Sequence, residues 1–160
     1  MFDKFGEFDS ARELNEAAAG QKEQGDIEAL VALALENGID KEDAEDYMDG
    51  LIVELVSPLT AALGKIKVEC EELKPKEIME DWVEYIKLQC LEKPEVAIKV
   101  RSKEKSLSGC IAKLLEWSLK NCYEIPDEIS KAAGIKDARV KLGIPGMGRA
   151  KKIINDYYMG

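Results

Sequence analysis

Helix-start signals recur so often along this chain that only short helices fit between them. Ser10 with Glu13 forms a capping box ahead of a helix to about Gln21. Asp26 stands before "IEALVALALEN", which Gly38 ends, and Asp40 stands before "KEDAEDYMD", which Gly50 ends. Ser57-Pro58 opens a fourth helix to about Glu72, and Lys74-Pro75 a fifth, "KEIMEDWVEYIKLQCLE". Pro94 restarts the chain into "EVAIKVRS", Ser106 caps "LSGCIAKLLEWSLKN", and Pro126 begins "DEISKAA", ended by Gly134. A last helix is expected over about Gly148 to Tyr158. Residues 138 to 144, "ARVKLGI", fit either a short strand or part of a helix. The pattern predicts a mostly α protein, a compact bundle of about seven to nine short helices with one short strand near 139–144. No long Gly/Pro linker interrupts it, so residues 1–160 read as a single domain.

Charge divides that domain into an acidic part, 1–92, and a basic part, 93–160. Residues 1–95 hold 25 acids against 10 bases, and residues 96–160 hold 7 against 13, within a formal net charge of −9. An acidic face repels nucleic acid, but it also imitates it by docking where a partner expects phosphates. The chain shows no signal peptide and no apolar run of about 20 residues, so a cytoplasmic protein without membrane contact is expected.

Several chemistries are unavailable. The chain has no histidine, which excludes Ser-His-Asp and Cys-His catalysis. Cys70, Cys90, Cys110 and Cys122 form no C-x-x-C pair, so they read as reduced thiols on helices rather than zinc ligands. No metal, cofactor or enzymatic activity is expected.

Two carboxylate sets stand out. Asp40, Asp43, Asp46 and Asp49 step by three, with Glu42 and Glu45 between them. That is helical spacing, not the alternating ligands, central glycine and final glutamate of an EF-hand loop. Glu77, Glu80, Asp81 and Glu84 lie at i, i+3, i+4 and i+7 and share a second helix face. No histidine completes a di-iron site there. Each set reads either as a solvated helix face or as a patch that docks into a basic groove. Trp82, Tyr85 and Ile86, on the opposite side, read as core.

Basic residues gather at two places. Lys99, Arg101, Lys103 and Lys105 precede the Ser106 cap and are expected to be exposed, with Lys103 and Lys105 as candidate nucleic-acid contacts. No aromatic residue interleaves to make a stacking platform. The second place is "LGIPGMGRAKKII". Gly143-x-x-x-x-Gly148-Arg149-Ala150 misses the P-loop, because Arg149 and Ala150 replace the lysine and the hydroxyl residue. Ile144-Pro145-Gly146-Met147-Gly148 matches better the turn of a helix-hairpin-helix, which aims backbone N–H groups at a DNA phosphate. Gly146, Gly148, Arg149, Lys151 and Lys152 are then candidate DNA contacts. Lys152 stands where that motif carries a small residue, and a purely structural turn is the other reading.

The segment "EVAIKVRSKEKSLSGCIAKLLEWSLKN", Glu95 to Asn121, resembles the PcfK-like family of Firmicutes mobile genetic elements. Its helix start, Lys105-Ser106-Leu107-Ser108-Gly109-Cys110, follows that family's Lys-Ser-apolar-x-x-Cys pattern. "KPKEIMEDWVEYIK" and "LGIPGMGRAKKII" are similar to stretches in small gut-Firmicutes proteins associated with the same group. The family includes anti-CRISPR proteins from phages and conjugative elements. The resemblance implies an inhibitor that binds a type II RNA-guided DNA nuclease, with or without its guide RNA. The acidic residues of both helix faces would then compete for a basic nucleic-acid channel. The alternative is a mobile-element accessory protein that binds DNA through its basic C-terminal part.

Overall fold

The structure, a computed structural model, describes residues 1–136 and 139–160. Among these residues nine helices and one two-stranded sheet form. The helices are α1 (Ala11–Glu23), α2 (Ile27–Glu36), α3 (Lys41–Met48), α4 (Pro58–Leu73), α5 (Ile78–Glu92), α6 (Pro94–Arg101), α7 (Leu107–Lys120), α8 (Asp127–Ala132) and α9 (Met147–Met159). The strands β1 (Tyr123–Glu124) and β2 (Lys141–Leu142) pair antiparallel, Tyr123 opposite Leu142. The expected strand near 139–144 therefore exists; Ala138, at the start of the ambiguous stretch, lies outside the described residues.

Side-chain caps set four of the nine starts. Ser10 Oγ accepts from Glu13 N at 3.2 Å, while the Glu13 carboxylate reaches back to Asp9 N at 2.8 Å. Asp26 Oδ1 accepts from Ala29 N, Ser106 Oγ accepts from Gly109 N, and Ser57 forms a reciprocal box with Thr60. Each satisfies N–H groups that the first turn of a helix leaves without partners.

Two starts differ from expectation. Asp40 precedes α3 but makes no side-chain cap; its Oδ1 accepts from Lys67 Nζ of α4 at 3.0 Å instead. α5 begins at Ile78, not at Pro75. Lys74 ends α4 at φ 48° and Glu77 precedes α5 at φ 55°. These two left-handed residues break the helical path, so Pro75 is spent on the turn between the helices.

Apolar side chains collect in two clusters. One draws Leu14 and Ala18 from α1, Leu30, Leu33 and Ala34 from α2, and Ala44 and Tyr47 from α3, with Leu55 and Val56 beyond it. The other draws Trp82, Val83, Ile86 and Cys90 from α5, Val96, Ala97 and Val100 from α6, Leu107, Cys110 and Leu114 from α7, and Ala150, Ile154 and Tyr158 from α9. α4 serves both, with Ala61 in the first and Ala62 and Ile66 in the second. Its backbone comes close to the end of α2, where a Cβ on Gly64 would run into the Asn37 carbonyl. Gly38, at φ 71°, meets Gly64 the same way.

All four cysteines are free thiols. Cys70, Cys90 and Cys110 lie on helices, whereas Cys122 falls just beyond α7. No helix among the described residues is long and apolar enough to cross a membrane.

Candidate interaction surfaces

On α3 and its flanks, Asp40, Glu42, Asp43, Glu45 and Asp49 are exposed and Asp46 is half-buried. The period of three points them outward because Ala44 and Tyr47 occupy the core side. Glu77, Glu80, Asp81 and Glu84 are exposed at the start of α5, with Trp82, Val83 and Ile86 turned inward. Trp82, Val83 and Ile86 are buried and Tyr85 is half-buried, its hydroxyl donating to Asn155 Oδ1 at 3.2 Å. Among the described residues three of these ten carboxylates form ion pairs: Asp40 with Lys67, Glu45 with Lys41, and Glu84 with Lys87. α3 packs on α2, and α5 on α4, α6 and α9, so the two sets occupy different parts of the molecule.

The basic run before α7 does not form one exposed patch. Lys99 and Lys103 are exposed, but Arg101 is only 1% accessible. Its Nε donates to Phe8 O at 3.1 Å and its Nη2 to Asn37 Oδ1 at 2.8 Å, while the Phe2 ring covers it. Lys65 of α4 is equally buried, bridging Glu7 at 2.6 Å and the carbonyls of Ser102 and Lys105 at 2.7 Å. Lys105 is half-buried, with Nζ donating to Tyr157 O at 2.7 Å. Asp9 accepts from Lys103 N at 2.8 Å. The N-terminal segment thus ties down part of the basic run, a pairing across more than 90 positions that no local pattern announces.

Burial lowers the Arg101 pKa, opposed by Glu7 and Glu69. Glu69 sits in the same interior, accepting from Leu107 N at 3.2 Å. Desolvation pushes its carboxyl up to about 7, against the pull of Lys65 and of that N–H. The helical thiols respond alike to burial, Cys90 rising to about 11 and Cys110 to about 12, which makes them poor nucleophiles.

At the C-terminus the Pro-Gly turn opens α9, with Gly146 as its N-cap. Pro145 is buried, but Gly146, Met147, Gly148 and Arg149 are exposed, and a Cβ on either glycine would meet nothing within 4 Å. Ala150, Ile154 and Tyr158 face the core, which leaves Arg149, Lys151 and Lys152 on the solvent side. Arg149 lies 5.9 Å over the Trp117 ring and Lys151 5.3 Å over Tyr85. Strand β2 and Gly143, rather than a helix, lead into the turn, so it joins a strand to a helix. Lys103 and Lys105 lie at the other end of α7 from Trp117 and Arg149, so the two basic sites are separate.

Leu51 and Val53 were not distinguished by the sequence pattern. Both project into solvent, 73% and 93% exposed, directly after the acidic α3. The signal was the run "LIVELV" after Gly50, too short and aperiodic to say which members are buried. Comparison with protein-family models, with curated proteins and with solved structures gives no match.

Proposed function

We propose that this protein is a non-enzymatic, anti-CRISPR-like inhibitor whose acidic surface occupies the basic nucleic-acid channel of a type II RNA-guided DNA nuclease. The observation that carries the reading is the state of the carboxylates on α3 and α5. Seven of the ten have no ion-pair partner among the described residues, and nine are exposed. The fold leaves those seven without a cation, and clustered like charge costs stability. A channel that recognises backbone charge rather than sequence is a suitable acceptor for such a surface. The target class comes from the PcfK-like resemblance of residues 95–121. A pull-down with the nuclease, with and without guide RNA, together with a cleavage assay, tests it. The expected result is capture of the guide-free nuclease and reduced cleavage; no capture and unchanged cleavage at low salt contradict it.

A second reading has its own observation. The open Gly146–Gly148 turn and the exposed Arg149, Lys151 and Lys152 form a basic helix start. Backbone N–H groups and these cations suit a DNA phosphate. A gel shift with duplex DNA that weakens on Lys151→Glu and Lys152→Glu would favour a DNA-binding accessory protein. No shift at low salt would leave the turn a structural one.

A further inference from the structure

Val53, 93% exposed, is the most exposed large apolar residue described, and Leu51, two positions before it, is 73% exposed. Such exposure is common at slack loop tips, but this segment is held at both ends. Leu51 N donates to Asp46 O at 2.9 Å. Val56 exchanges two hydrogen bonds with the Asn15 side chain, at 2.9 and 3.0 Å, and Leu55 and Val56 are buried in the N-terminal core. The two exposed side chains are therefore presented on a fixed support. Val53 also borders a concavity of about 470 Å³, lined by Asn15, Tyr47, Val56 and Pro58 among others.

The surrounding charge selects the occupant. Glu54 lines the concavity with no ion-pair partner among the described residues, and Asp46 and Asp49 precede the loop. The one cation in the lining, Arg12, is already paired with Glu16 at 2.9 Å. An anionic membrane would be repelled. A second copy presenting the same face would meet like charge. A protein with an apolar pocket ringed by lysines and arginines matches both features.

We propose that Leu51 and Val53 are the apolar anchor by which the acidic N-terminal half docks on a basic protein partner; the inference rests on the acidic-surface reading above. Carboxylates steer the encounter and fix its register, but their attraction is screened by salt. Buried apolar anchors supply the part of binding that salt does not remove.

The test compares wild type with the Leu51→Ser/Val53→Ser double variant. Binding to guide-free nuclease is measured at about 50 mM and about 500 mM salt, where screening is weak and nearly complete. Both side chains are solvent-exposed, so the melting temperature of the variant should match wild type. The expected result is binding weakened roughly 10- to 100-fold at low salt and lost at high salt, while wild type keeps measurable high-salt binding. If the variant binds as wild type does at both salts, or wild-type binding vanishes at high salt, the anchor is overturned and the acidic reading stands. Wild-type self-association that the variant abolishes makes the occupant a second copy and also overturns the proposal. Failure of wild type to bind at low salt overturns the acidic reading itself, and the anchor with it.

Discussion

Arg101 Nη2 donates to Asn37 Oδ1 at 2.8 Å, joining the end of α6 to the end of α2 where both residues are fully buried. The same guanidinium holds the N-terminal segment through Phe8 O. Removing it would leave buried Asn37 Oδ1 without its donor and Glu7 and Glu69 with less compensation. Arg101→Ala should cost about 3–5 kcal/mol, the usual result of breaking a buried charged contact. Urea unfolding checks this; a loss under about 1 kcal/mol would mean the contact is not structural.

Lysines two positions apart should behave differently. Lys105 Nζ donates to Tyr157 O and lies over the Tyr157 ring at 4.9 Å, whereas the Lys103 side chain is exposed. Lys105→Ala should lower stability by about 1–2 kcal/mol and Lys103→Ala by less than about 0.5 kcal/mol. Thermal melts of the two variants side by side give the comparison. Equal effects would contradict the assignment of Lys105 to the fold.

The helix boundaries were largely legible, because caps at Ser10, Asp26, Ser57 and Ser106 act within three residues of themselves. The outward carboxylates of α3 were legible too, since Ala44 and Tyr47 take its core side, but Glu77 precedes α5 instead of sharing the helix face of Glu80, Asp81 and Glu84. Arg101 and Lys105 were not. A basic run looks the same whether water or a distant carbonyl solvates it, and their partners lie 40 to 93 positions away. Asp40 carried a cap signal, but Lys67 of α4 offered it a charge-assisted bond that competes with capping. The start of α5 was hidden for a similar reason, because Lys74 and Glu77 adopt left-handed backbone that neither residue type announces.

Glycines divide by what surrounds them. Gly64 touches the Asn37 carbonyl, so Gly64→Ala forces α2 and α4 apart and should cost about 1–3 kcal/mol. Gly20, within α1, has open space around it, and Gly20→Ala should instead stabilise by about 0.5–1 kcal/mol. Chemical denaturation of both variants reads the opposite signs. A stabilising Gly64→Ala would refute the close approach of the two helices.

Glu69 predicts a pH effect of unusual sign for a carboxyl. Burial raises it to about 7 in the folded chain, above the roughly 4.3 of an unfolded glutamate. The folded state therefore binds this proton more tightly, and its contribution is fully present below about pH 4 and lost as pH rises to about 7. Glu69→Gln keeps an acceptor for Leu107 N and removes the charge. It should match wild type near pH 4 and exceed it by about 1–3 kcal/mol near pH 8. Unfolding curves at the two pH values decide it; a constant difference would show that Glu69 does not titrate in this range.

In the proposed inhibition the exposed carboxylates compete with nucleic acid for the nuclease. The most direct measurement is nuclease cleavage with and without this protein, added before guide RNA, at about 50 mM and about 300 mM salt. The comparison protein carries Asp43→Asn, Asp49→Asn, Glu77→Gln and Glu80→Gln, four exposed carboxylates that form no ion pair among the described residues. Wild type should suppress cleavage at low salt and much less at high salt, and the neutralised variant, melting as wild type does, should suppress it in neither. Cleavage unaffected by wild type at low salt, or suppressed equally by the neutralised variant, would contradict it.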